Sequence, residues 1–91
     1  MKQCMDVDAI NKRLKRIEGQ VRGVQKMVDE DKSCESILIQ IGAIKSALHK
    51  TGQIILEGHM HHCVRDSISH GNADEAIDEL ISALNQFSKT I

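Results

Sequence analysis

The sequence predicts an all-α fold of three helices, and three observations predict it. There is no Pro, Trp or Tyr, and only six Gly occur in 91 residues, so the turn punctuation of an all-β chain is missing. Apolar residues recur at alternating steps of three and four in three separate stretches, which is the period of a helix packed along one face. The polar clusters Asp29-Glu30-Asp31-Lys32-Ser33 and His70-Gly71-Asn72 interrupt that period twice.

The first stretch carries Ile10, Leu14, Ile17, Val21, Val24 and Val28, a heptad-like stripe that predicts a helix from about Val7 to Glu30. Ser33, followed by Glu35 and Ser36, is a fitting N-cap for a second helix. That helix is expected over about Cys34 to Ile68, with Ile37, Ile41, Ile44, Leu48 and Ile55 on its stripe; Gly52 and Gly58 weaken it without forbidding it. Ala76, Ile77, Leu80, Ile81, Leu84 and Phe87 define the third, whose acids lie in the first turn, where they suit the helix dipole.

A chain of this length is expected to be one domain, 1–91. It buries only roughly 60% of its unfolded surface, so self-association is a natural way to complete its core. The longest apolar runs are a few residues, and the N-terminus lacks a basic segment followed by an apolar core, so neither a membrane span nor a signal peptide is expected and the location reads as cytoplasmic. Three Cys, an odd number, in a reducing compartment point to thiolate chemistry rather than a disulfide framework. No base and nucleophile pairing is visible, so an enzyme is not expected.

His59 and Cys63 are four residues apart, one turn apart on one face, close enough to ligate a single ion. Cys34 precedes His59 by 25 positions. At about 100° and 1.5 Å per residue it returns to nearly the same face but lies nearly 40 Å away, so one chain cannot close the site. A second copy packed antiparallel brings Cys34 of one copy opposite His59 and Cys63 of the other, with the crossing near Ala47, where Ala47 and Gly52 flank the apolar stripe and allow close approach, and two-fold symmetry makes two equivalent sites. Two thiolates and an imidazole are a soft, low-coordinate set that favours Cu(I), with Zn(II) open to a fourth ligand. Free Cys is also a small buried hydrophobe, but three ligand-type residues on one face favour a site. His61 and His62 are either further ligands or solvent-facing, and Cys4 is at most an accessory thiol.

The net charge of −1 conceals a segregated distribution. From Ile10 to Met27 there are six Lys or Arg and one acid, Glu18, whereas Ala73 to Leu84 carries Asp74, Glu75, Asp78 and Glu79 and no base. On the helical wheel Lys15, Arg16, Arg22 and Lys26 fall within about 80° of Lys12, opposite the apolar stripe. Lys45, His49 and Lys50 extend this surface. A solvated face is the ordinary reading of such a stripe, but it is also the footprint of a phosphate-binding surface for duplex DNA. Zinc-finger spacing, a tight helix-turn-helix and stacking aromatics are all missing, which disfavours single-strand recognition.

With these residues in place, the sequence resembles the copper-sensing operon repressors, the CsoR/RcnR-like metal-sensitive repressors. The resemblance covers almost the whole chain. It is carried by Arg13-Leu14-Lys15-Arg16-Ile17-Glu18-Gly19-Gln20-Val21-Arg22-Gly23 and by the Cys34, His59, Cys63 pattern. It implies an antiparallel helical-bundle dimer assembling into a flat tetramer, which binds operator DNA in the apo state and releases it on Cu(I) binding to derepress copper-resistance genes. It further implies Glu79 as a carboxylate that orients the His59 ring, and Arg13 and Lys50 as DNA contacts. Ser33 stands where copper sensors of this kind often carry Tyr, so one member of the hydrogen-bond network around His59 is replaced here.

Relatives that sense nickel have His in place of the second Cys, persulfide sensors lack the His, and formaldehyde sensors lack the Cys63 equivalent. The pair His59 and Cys63 therefore favours copper. Two rivals remain. One is a thiol sensor that joins Cys34 and Cys63 of partner chains through a disulfide or polysulfide, which leaves His59 unexplained. The other is a metal-binding bundle without DNA function, which leaves the basic stripe unexplained.

Overall fold

Asp8 in the first turn and Lys26 in the last turn of the first helix both oppose the charge of the helix dipole, and Ile10 and Ile17, two turns apart, are its buried residues. The computed structural model describes residues 5–89, apart from the side chains of Cys63 and Val64. Among them lie α1 (Val7–Asp29), α2 (Cys34–Gly58), a π-helical turn (His59–Val64), α3 (Arg65–Ser69) and α4 (Ala73–Ser88), with no strand. The fold is all-α, as the periodicity predicts. No helix among the described residues is long and apolar enough to cross a membrane.

The two interruptions in the sequence become helix stops of one kind. After α1, Asp31 takes the left-handed conformation (φ 57°), its N–H donates to the Val28 carbonyl (3.2 Å), and the Lys32 N–H donates to the Met27 carbonyl (3.0 Å). After α3, Gly71 (φ 81°) does the same, with its N–H on the Ile68 carbonyl (3.2 Å) and the Asn72 N–H on the Ser67 carbonyl (2.8 Å). Both satisfy the last orphan carbonyls of a helix by the crossed pair of bonds that requires a left-handed residue.

Helix α2 begins as the sequence predicts. The Ser36 N–H donates to Ser33 Oγ (3.2 Å), the Ser33 hydroxyl donates to Ser36 Oγ (2.9 Å), and the Ile37 N–H donates to the Ser33 carbonyl (3.1 Å). Helical backbone then continues without a break from Cys34 to Ser69. One expectation is corrected: the second helix is not α throughout, because six residues around the predicted ligands form a π turn.

The chain divides into two compact units. Val7–Gln53 forms one, holding α1 and most of α2; the described residues from Ile54 onward, with 5 and 6, belong to the other. In the first unit Thr51 is 3% exposed, and its hydroxyl is satisfied by donation to the Ala47 carbonyl (2.8 Å). In the second unit α4 packs against both α3 and the π turn.

Candidate metal centre and nucleic-acid face

Cys34 is the first residue of α2, directly behind the Ser33 cap, and is exposed. His59 opens the π turn at the far end of that helix. Hydrogen bonding five residues apart widens the turn, and positions four apart remain backbone neighbours on it. The Cys63 side chain and all of Cys4 lie outside the described residues. His61 and His62 are exposed. Among the described residues no three His, Cys, Asp or Glu side chains come together as a metal cluster.

Two features of the site lie beyond what the spacing indicates. The His59 ring is half-buried, and its Nδ1 is fully enclosed without a hydrogen-bond partner. An enclosed polar nitrogen left unpaired costs roughly 1–3 kcal/mol, a penalty that a metal bond or a group from another molecule removes. The donor type fits a soft metal, and the orphaned nitrogen is the observation that supports the fit. The contact with Glu79 implied by the resemblance is not made through this nitrogen. Glu79 is exposed and lines a shallow pocket of about 180 Å³ with Ser67, Asn72, Glu75 and Ala76.

The second feature is the pattern along α2. Cys34, Leu38, Ile41, Lys45, Leu48, Gly52, Ile55 and His59 are spaced four and three apart in turn, and so share one line. Leu38, Ile41 and Leu48 on that line are 64%, 45% and 48% exposed. A neighbouring line holds Ile37, Ile44, Ala47, Thr51 and Ile54, all half-buried or buried. Helix α2 thus has two apolar lines: Ile37, Ile44, Ala47 and Thr51 are half-buried or buried within the chain, whereas Leu38, Ile41 and Leu48 on the line that starts at Cys34 are exposed, and Gly52 farther along it is half-buried.

The basic residues singled out from the sequence are Lys12, Arg13, Lys15, Arg16, Arg22, Lys26, Lys45 and Lys50, and all eight are exposed. Among the described residues none of them is held in an ion pair; Asp66 Oδ1 lies 3.6 Å from His70 Nδ1, a contact that is ionic only when the imidazole is protonated. Lys45 stands on the same line of α2 as Leu38, Ile41 and Leu48, whereas Lys12, Lys15, Arg16 and Lys26 of α1 lie on the side away from Val21, with Arg13 and Arg22 at its flanks. The acids Asp74, Glu75, Asp78 and Glu79 all lie on α4, in the other unit.

Comparison with known proteins adds a family to this arrangement. The chain is 46% identical over 89 residues to the copper-sensing transcriptional repressor CsoR of Bacillus subtilis, covering 98% of this chain and 88% of that protein. The crystal structure of the copper-sensing repressor CsoR with Cu(I) from Geobacillus thermodenitrificans matches with a TM-score of 0.87 at 49% identity, over 90% of this chain and 85% of that one. The nickel-responsive transcriptional regulator InrS matches with a TM-score of 0.83 at 38% identity, over 90% and 92% of the two chains. The family model of metal-sensitive transcriptional repressors matches residues 6–86. The protein accordingly belongs to the metal-sensitive transcriptional repressor family, whose members are regulators of transcription and not enzymes.

Proposed function

We propose that this chain is a Cu(I)-responsive repressor that binds double-stranded operator DNA when metal-free, releases it on Cu(I) binding and thereby derepresses copper-resistance genes. It acts in the cytoplasm as one metal-sensing, DNA-binding domain, 1–91, assembled into homodimers and homotetramers. The observation that carries this reading is the exposed apolar stretch Leu38, Ile41 and Leu48 on the line of α2 that begins at Cys34 and whose sequence register leads to His59. A second copy laid antiparallel on that line covers Leu38, Ile41 and Leu48 and sets Cys34 of one protomer against His59 and Cys63 of its partner. The relatives named for copper sensing support the choice of metal.

Cys34 of one protomer with His59 and Cys63 of the other provides two thiolates and one imidazole, a set suited to Cu(I). When bound, Cu(I) supplies the bond between the start of one α2 and the π turn of the other. His59 belongs to the turn against which α4 packs, so a shift of His59 is passed to α4 and to Glu79. That packing couples the metal site to the assembly, and the assembly sets how Lys12, Arg13, Lys15, Arg16, Arg22, Lys26 and Lys50 meet the phosphates, whereas Lys45 stands on the line that the second copy covers and is left out of that contact.

The test is fluorescence anisotropy of an operator fragment with reduced protein under anaerobic conditions, with Cu(I), Zn(II), Ni(II) and a polysulfide donor added separately. Release by Cu(I) at about one ion per protomer is expected, since two-fold symmetry gives a dimer two sites. Release by polysulfide alone makes Cys34 and Cys63 a thiol switch, and failure to bind DNA leaves a metal-binding bundle.

A further inference from the structure

Helix α4 carries an exposed apolar line with an acidic edge. Ile77, Ile81 and Leu84 are spaced four and three apart, and all three are exposed. Counted at about 100° per residue, Asp74 and Asp78 flank that line on the side of increasing angle, and both are exposed. Helix α1 carries the same pattern with the opposite charge. Val7, Leu14, Val21 and Val28 recur every seven residues and are exposed. Arg22 flanks them on the side of increasing angle, with Lys15 and Lys26 behind it. Among the described residues none of these five charged groups is held in an ion pair.

We propose that α4 of one copy docks antiparallel on α1 of another copy, and that this contact and duplex DNA exclude each other. The direction follows from the charged edges. Edges of the same hand meet on one side of an antiparallel helix pair and fall on opposite sides of a parallel one. The register follows from the apolar spacing. Ile77 to Leu84 and Leu14 to Val21 both span seven residues, so Ile77 meets Val21, Leu84 meets Leu14 and Ile81 fits between them. Asp74 then comes level with the space between Arg22 and Lys26, Asp78 stands beside Arg22, and Lys89 stands beside Asp8, while Glu18 is the one like charge near the acidic edge. Self-pairing gains nothing of this kind, because antiparallel copies of α4 oppose acid to acid and antiparallel copies of α1 oppose base to base. Arg22 and Lys26 serve either the acids of α4 or phosphates, which makes the contact a competitor of the duplex. Helix α4 also packs on the turn that His59 opens, so the metal site has a path to this contact. The inference rests on the assembly and DNA-binding readings above and names the surface that displaces DNA.

The experiment places the photo-crosslinking residue p-benzoylphenylalanine at Ile81 of the full-length chain, which is refolded with an equal amount of isotope-labelled wild-type chain. The mixture is irradiated metal-free, with Cu(I), and with a duplex that the wild-type protein selects from a random-sequence pool, and cross-linked peptides are assigned by mass. A reciprocal probe at Val21, read into α4, covers the case in which the first variant does not fold. Cross-links from position 81 into residues 14–21 of a chain of the other isotope are expected, and a saturating duplex should lower their yield about tenfold. Asp74→Arg with Asp78→Arg should cut the yield about tenfold, and adding Arg22→Asp with Lys26→Asp should restore it to within about threefold without restoring duplex binding. Cross-links confined to a single chain, or entering α2 or α4 of another copy in place of α1, overturn the inference, as does a yield that the duplex leaves unchanged. A chain that sediments as a monomer defeats the assembly reading, and one that selects no duplex defeats the DNA-binding reading. Both differ from cross-links that land elsewhere in an assembled, DNA-binding protein.

Discussion

Ser33 holds the start of α2 through its hydroxyl, which accepts the Ser36 N–H and donates to Ser36 Oγ, so the residue just before the candidate ligand Cys34 has a structural duty of its own. Substituting Ser33 by Ala is expected to destabilise the protein by about 1 kcal/mol, and Ser33→Asp to retain most of that, as measured by denaturant unfolding. The cap was legible because Ser followed by a helix-period stretch has one common explanation. Cys34, His59 and Cys63 are proposed as a set because 25 and four residues both return to one helix face. The enclosed and unpartnered Nδ1 of His59 was not legible, since sequence spacing gives a face and not the depth of an atom within it. If His59 couples the metal to α4 more than it secures the metal, His59→Ala should leave Cu(I) binding largely intact and weaken Cu(I)-triggered DNA release. Full release in that variant, read by operator anisotropy, contradicts this role.

At the scale of elements, two helix stops differ in how well their residue suits the backbone. Gly71 takes its left-handed conformation without steric penalty, and nothing near it would contact a side chain. Gly71→Ala is therefore expected to cost about 1–2 kcal/mol from the backbone alone, measurable as a fall in Tm. Asp31 occupies the equivalent position after α1 with a Cβ, so Asp31→Gly is expected to be neutral or stabilising while Asp31→Val lowers stability. Both stops were visible as polar clusters, and the resulting helix bounds agree with the periodicity to within a few residues. The π turn at His59–Val64 was not visible, because a spacing of four suits an α turn and a π turn equally. Which members of an apolar stripe are covered was equally hidden: Ile10 and Ile17 are buried, whereas Leu14, Val21 and Val28 on the same predicted stripe of α1 are exposed. Periodicity identifies the face that seeks a partner and leaves open whether that partner lies in the same chain.

For the whole molecule, Leu38, Ile41 and Leu48 on α2 and Ile77, Ile81 and Leu84 on α4 are exposed, and in the proposed assembly a second copy completes their burial. Unfolding should then be linked to association, with Tm rising as protein concentration rises. Operator affinity should fall steeply with salt, by about 10³ or more between 50 and 200 mM if six or more phosphates are neutralised across an assembly. A shallow salt dependence would remove the basic stripe from the interface. The central claim is that the metal site joins two protomers, and mixing two defective variants tests it most directly. Cys34→Ser and Cys63→Ser are each prepared alone, then unfolded and refolded together in equal amounts, and Cu(I) bound per chain is measured against a competing chelator. A site shared between protomers predicts that neither variant alone binds tightly, while the mixture recovers about one quarter of wild-type stoichiometry, because half the dimers are mixed and each carries one intact site. No recovery in the mixture, with mixed dimers shown to be present, would place all three ligands within a single chain and contradict the account.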